Sequence, residues 1–444
     1  MKQNRWINTT WIGIVVWAGA TALHAEDWPQ FRGPNRDGVS AEKGLLQKWP
    51  AGGPPKVWTA SNIGNGHGSV AVVRSVVYIL GQSRAVWRDG KPHITALDET
   101  TGKAKWSVPF SDLPTKGDNV NSTPTFANGK LYAVSQVGDL ACLGAADGKV
   151  LWHKSLAEDF GGKDPGWGGF SESVLVDDGT VICAPGSMSA ALAALNANTG
   201  EVIWKTEMPK ANTAGFASAI KAEFGDVPMY LILLNRSQGG LTAVHAKTGK
   251  VLWQNGANIM GGPYLIPNPI VKGDMIYTST GDGWAALQMT ASGKDAVSVK
   301  LLKRYASLEL ACYYGGMVMI DDAIYFAHRK RPGGYPPACV DAKTREIKWK
   351  AEDMKWLTGD GTVDNCSGSI IGADGMLYFQ YENGAIALVK ADPKQFTLVS
   401  TFKVPESSVA RNQAWRSNPA IANGKLYIRI GGNLHCFNIK AEGK

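Results

Sequence analysis

Residues 94–106, ITALDETTGKAKW, set the reading of the whole chain. A short apolar run (Ile94, Ala96, Leu97) meets an Asp, then a Thr-Gly-Lys turn, and Trp106 follows three residues after the Lys. The same figure returns as ACLGAADGKVLW ending at Trp152, AALNANTGEVIW at Trp204, TAVHAKTGKVLW at Trp253 and ACVDAKTREIKW at Trp349. These Trp positions lie 46, 52, 49 and 96 residues apart, the last gap being about two repeats. A period near fifty with strand-turn-strand content points to a propeller, because one small sheet cannot bury both faces alone and stacks on its copies.

A second marker precedes each Trp figure: a polar turn, then an apolar strand carrying Tyr78, Tyr132, Ile182, Tyr230, Tyr277, Tyr325, Tyr378 or Tyr427. Eight markers predict eight blades. Asn-Gly and Asp-Gly between apolar runs are hairpin signals, since two-residue turns of this kind need positive φ at both positions. Each repeat therefore reads as four antiparallel strands. The eighth ends after its third strand, near Asn438, while Val57-Trp58-Thr59 stands alone upstream with its Trp 48 residues before Trp106. Pairing that N-terminal strand with the last three removes two open sheet edges, so the fold class is all-β, an eight-bladed propeller closed by its N-terminal strand. The fifth repeat (ASGKDAVSVKLLKRY) and the seventh lack the Trp; Phe402 stands in the seventh slot. Trp58, Trp106, Trp152, Trp204, Trp253 and Trp349 are expected as docking residues between blades.

The domain organisation follows. Residues 1–25 resemble an export signal, with Lys2 and Arg5 before an apolar stretch at 11–23 and a small-residue site before Glu26. Residues 26–55 are turn-rich and are expected to pack Trp28 and Phe31 on one face; 56–444 form the propeller. No Cys stands near the cleavage point, so an exported, periplasmic or envelope protein without a lipid anchor is expected. Composition agrees, at 44% hydrophobic and 19% charged residues with 52 Gly for tight turns. Without Lys2 and Arg5 the charge is 44 basic against 38 acidic residues, or +6, which speaks for solubility rather than nucleic acid. Of the six Cys, Cys142, Cys339 and Cys436 occupy a slot filled by Ala96, Ala194 and Ala243 elsewhere, which marks small buried packing positions. Cys312 and Cys366 fall at matching points of neighbouring repeats, without a strong case for a bridge.

In a propeller the loops entering the innermost strands gather on one face, and here several are long enough to be functional. They carry His67, Asn121, Trp167, Tyr314, Asp364, Trp415 and Arg416, which would form a funnel with stacking surfaces, amides and an anion contact at Arg416. The plainer alternative is that the Asn residues cap turns and the aromatics plug the channel. No nucleophile elbow, His-Glu-x-x-His or phosphate loop occurs, so no catalytic residue and no metal site is assigned.

The A-L-D-x-x-T-G-K-x-x-W figure resembles the tryptophan-docking motif of pyrroloquinoline quinone (PQQ)-type β-propellers, and DWPQFRGPNRDGVS resembles the opening of exported members. That resemblance implies eight blades and one of two functions. Quinoprotein alcohol dehydrogenases of this type carry an adjacent Cys-Cys pair and a calcium site, and this shorter chain has no adjacent Cys. The resemblance therefore favours the BamB-like, non-enzymatic branch: a monomeric scaffold with a protein or peptide partner in the cell envelope, no cofactor, and peripheral membrane association compatible with that location. The alternative is a PQQ- and calcium-dependent dehydrogenase of an alcohol or sugar, with Asp364 as a needed carboxylate.

Overall fold

The computed structural model describes residues 27–82, 90–113, 120–166, 168–234, 239–255, 265–293, 296–328, 334–352, 354–358, 367–405 and 416–442. Eight antiparallel sheets follow one another in chain order: residues 70–109, 125–155, 175–206, 220–255, 270–306, 317–350, 368–403, and last 420–438 completed by 56–60. The chain is an eight-bladed β-propeller. One short helix, Lys355–Thr358, stands among the described residues.

Local chemistry places the hairpins where the sequence predicts them. Asn128-Gly129, Asp178-Gly179, Asp374-Gly375 and Asn423-Gly424 all hold positive φ at both residues, the geometry that matches the twist of the strands they join. The middle strands of the blades alternate little, because both of their faces are covered by neighbours; Met376–Tyr381 is buried at every position. Ring closure is as expected: Lys56–Ala60 pairs antiparallel with Asn433–Asn438, with Trp58 opposite Cys436 and Ala60 opposite Leu434. Cys142, Cys339 and Cys436 are fully buried. Cys312 is a buried free thiol, and Cys366 lies outside the described residues.

The docking residues work across blades. Four of the Trp rings lie on the Gly of the next blade's Thr-Gly or Asp-Gly turn, so closely that an added Cβ would fall 2.6 Å from Trp58 at Gly102, 2.9 Å from Trp106 at Gly148, 2.9 Å from Trp152 at Gly200 and 2.4 Å from Trp204 at Gly249. Indole N–H groups donate to the same turns: Trp58 to the Glu99 carbonyl, Trp152 to Ala197, Trp204 to Ala246 and Trp349 to Asp392, at 2.8–3.1 Å. Two details depart from full burial with every N–H paired. Trp106, Trp152 and Trp349 are only half-buried. The Trp253 indole nitrogen is buried with no hydrogen-bond partner among the described residues; it faces the fifth blade, which has no Thr-Gly turn.

The exceptions occur in pairs. The fifth blade docks through Tyr305, whose hydroxyl donates to the Arg345 carbonyl, and Arg345 stands in the Gly slot of the next turn at φ 64°. The seventh docks Phe402 against Gly53, where a Cβ would fall 2.7 Å from the ring. Trp49 supplies the missing indole there, 4.9 Å from Phe402 and 6.2 Å from Tyr378 between ring centroids.

The N-terminal segment packs along the innermost strands of several blades. Trp28 exchanges backbone hydrogen bonds with Val72, and Phe126 N–H donates to the Pro29 carbonyl. Val39–Ser40 runs parallel beside Gly372 and Ala373, and Gly424 N–H donates to Glu42. Trp28 is buried, whereas Phe31 is half-buried with the Arg36 guanidinium 5.9 Å above its ring.

Candidate functional site

The loops entering the innermost strands gather on one side of the ring, where Arg32 and Arg36 of the N-terminal segment also bond. Their backbones are stitched by a relay in which each N–H finds a hydroxyl of the next blade: Ser69 to Thr123, Thr123 to Ser173 and Ser173 to Ser218, each at 2.9 Å. Ser69 in turn donates from Oγ to the Asn418 carbonyl at 2.7 Å.

Arg416 and Tyr314 come together as the funnel reading expects. The guanidinium lies 4.7 Å from the Tyr314 ring centroid, and its Nε donates to Glu382 Oε1 at 3.1 Å. Ser367 Oγ donates to the same carboxylate oxygen. Tyr313 packs edge-on against Tyr314 at 4.1 Å, and burial raises the Tyr314 pKa above the ordinary phenol value. His67 belongs to the same region. Its backbone N–H donates to the Val120 carbonyl at 2.8 Å. Burial first, then the charges of Arg416 and Arg429, push the imidazole pKa down to about 3, so the ring is neutral at physiological pH. Asn121 takes a different role, donating to the Gly168 carbonyl at 3.1 Å and Ser171 Oγ at 3.0 Å, which ties the second blade to the third. Trp167, Asp364 and Trp415 lie outside the described residues.

Sequence reasoning missed Glu382 and the buried Arg429. Arg429 interrupts the apolar strand KLYIRI, the one visible signal. Its guanidinium donates to four carbonyls, Gly64, Gly68, Leu80 and Gly431, at 2.7–3.0 Å, and burial lowers its pKa to about 9. It therefore staples the eighth blade to the loop entering the first. Arg32 and Arg36 of the N-terminal segment are equally buried. Arg32 donates to the Gly315, Asp37 and Met317 carbonyls, and Arg36 to Ser173, Val174 and Gln30.

Glu172, beside Arg36, accepts the Ala184 N–H at 2.8 Å, and burial raises its pKa to about 7 against the opposing pull of that bond and of Arg36. A carboxyl raised in the folded state holds its proton more tightly there than in the unfolded chain. Its contribution is complete below the unfolded pKa and is lost as pH rises through about 7. Glu172→Gln is expected to stabilise the protein on the order of 2 kcal/mol at pH 8 and little at pH 4, read from urea unfolding at both pH values. Equal effects at the two would contradict it.

The charged groups gathered here are mainly basic. Among the described residues no three His, Cys, Asp or Glu side chains converge to hold a metal, and Glu382 is engaged by Arg416 and Ser367. Among the described residues no helix is long and apolar enough to cross a membrane.

The docked Trp rings and the eight blades define a PQQ-type propeller. The family model described as outer membrane protein assembly factor BamB matches residues 90–351, and the chain belongs to that family. The outer membrane protein assembly factor BamB of Shewanella oneidensis is 25% identical over 296 residues, 62% of this chain and 69% of that protein. The crystal structure of BamB from Moraxella catarrhalis matches at a TM-score of 0.60 and 15% identity, covering 87% of this chain and 99% of that one. The quinohemoprotein alcohol dehydrogenase from Comamonas testosteroni matches at 0.65 and 14% identity, covering 94% and 81%. At such identities the structural likeness speaks for the fold alone.

Proposed function

We propose that this protein is an exported binding scaffold of the cell envelope, taking an extended protein segment at the loops that enter its innermost strands. The observation that carries this reading is the Arg416–Tyr314–Glu382 cluster, half-buried among the loops that enter the innermost strands. A planar guanidinium over a phenol ring presents an apolar platform and forked donors together, which suits a peptide carbonyl or carboxylate. Relatives named as outer membrane protein assembly factors support an unfolded envelope protein as the partner class.

The test is fluorescence anisotropy with a synthetic peptide carrying the alternating pattern of an outer-membrane β-strand. Arg416→Ala is expected to weaken binding by about 2 kcal/mol, roughly 30-fold, with circular dichroism unchanged. Saturable PQQ binding with calcium, and dye-linked oxidation of an alcohol or sugar that Asp364→Ala abolishes, would overturn the reading in favour of a dehydrogenase.

A further inference from the structure

Radially outside the funnel, between the eighth and first blades, lies a cavity of about 570 Å3. Four primary amides line it, Asn62, Asn65, Gln82 and Asn433, together with Lys91 and His93, and among the described residues no Asp, Glu, Phe, Tyr or Trp side chain does. The amide N–H groups and the ammonium can turn donors into the cavity.

Arg429 lies directly behind this wall. It bonds the carbonyl of Gly64, itself a lining residue, and that of Gly431, next to the lining Gly432. All its hydrogen-bond partners are carbonyls, and no ion pair to it occurs among the described residues. A buried cation without a counter-charge is felt further than a solvated one, because little solvent screens it. His93 registers it: burial, with Arg429 adding, lowers the imidazole pKa. On the solvent side Lys91 pairs at 3.0 Å with Asp112, whose side chain is 99% exposed. Such a pair contributes at most about 1 kcal/mol, so the ammonium is easily redirected.

We propose that this cavity is a binding site for a small oxyanion-bearing molecule, a phosphate or carboxylate compound, held by Lys91 and the Asn433 and Asn65 amides in the field of Arg429. The site is separate from the funnel and does not depend on the scaffold reading.

Isothermal titration of the full chain with inorganic phosphate, citrate and maltose, at constant ionic strength, tests this. At least one oxyanion is expected to bind saturably while maltose does not. Binding of phosphate alone assigns a phosphate compound, and of citrate alone a carboxylate. K91E and N433D are each expected to weaken the anion at least tenfold, with the ligand-free melting temperature unchanged. Should N433D fail to fold, K91E at its exposed position decides. No saturable heat from either anion, equal binding of maltose, or an anion affinity untouched by K91E would overturn the proposal.

Discussion

Deleting residues 27–60 is expected to abolish cooperative unfolding, leaving no sharp thermal transition by circular dichroism. The segment buries Trp28, Leu45, Trp49 and Trp58. At roughly 2–3 kcal/mol for each large apolar side chain, their loss removes on the order of 10 kcal/mol. That equals the whole net stability of many domains, about 5–15 kcal/mol. The deletion also exposes the edge of Asn433–Asn438 and the carbonyl of Glu99 that receives the Trp58 indole. Something of the seam survives. Glu99 Oε1 accepts from Asn423 Nδ2, Lys425 Nζ and Tyr427 Oη at 2.8–3.0 Å, joining the first blade to the eighth without the missing strand. A shorter deletion of 27–54 keeps that strand and should lower the melting temperature while preserving a cooperative transition. An unchanged melting temperature after the longer deletion would refute the closure.

Trp204→Ala is expected to cost about 3–5 kcal/mol in urea unfolding, the usual range for emptying a large buried aromatic site. It removes a ring 6.5 Å from Tyr230 and an N–H bond to the Ala246 carbonyl at 3.1 Å. The stronger test is a double-mutant cycle with Gly249→Ala. Alone, that substitution sets a Cβ 2.4 Å from the Trp204 ring and an L residue at φ 69°, so it destabilises by steric overlap and by backbone strain. Once Trp204 is Ala the overlap is gone and only the strain remains. The two costs should therefore fall short of additive by about 1 kcal/mol or more. Strict additivity would mean the ring does not press on the turn.

These two experiments divide what was legible from what was not. Blade number, hairpin positions and ring closure were written in local chemistry. Asn-Gly and Asp-Gly demand their turns wherever they stand, and an orphan strand upstream with a missing strand downstream has one economical solution. The slot shared by Ala96, Cys142 and Cys436 likewise announced a small buried site before any contact was seen.

The funnel was legible only in part. Residue types suited to recognition marked Arg416 and Tyr314, and the structure brings them together. Asn121 carried the same signal and serves a bond between blades. Chemical type does not tell whether an amide faces a ligand or its neighbour's backbone.

Period and turn chemistry by themselves determined an eight-bladed ring with its N-terminus in the last blade, because both rules act within a few residues. Only the tertiary structure decided which Trp rests on which turn, why Arg345 can stand where other repeats need Gly, and where Arg32, Arg36 and Arg429 spend their donors. Those partners lie one blade or hundreds of residues away, and Arg429 meets Gly64 across 365 positions. A buried guanidinium is stable only where folded carbonyls converge on it, and that convergence exists only once the ring has closed.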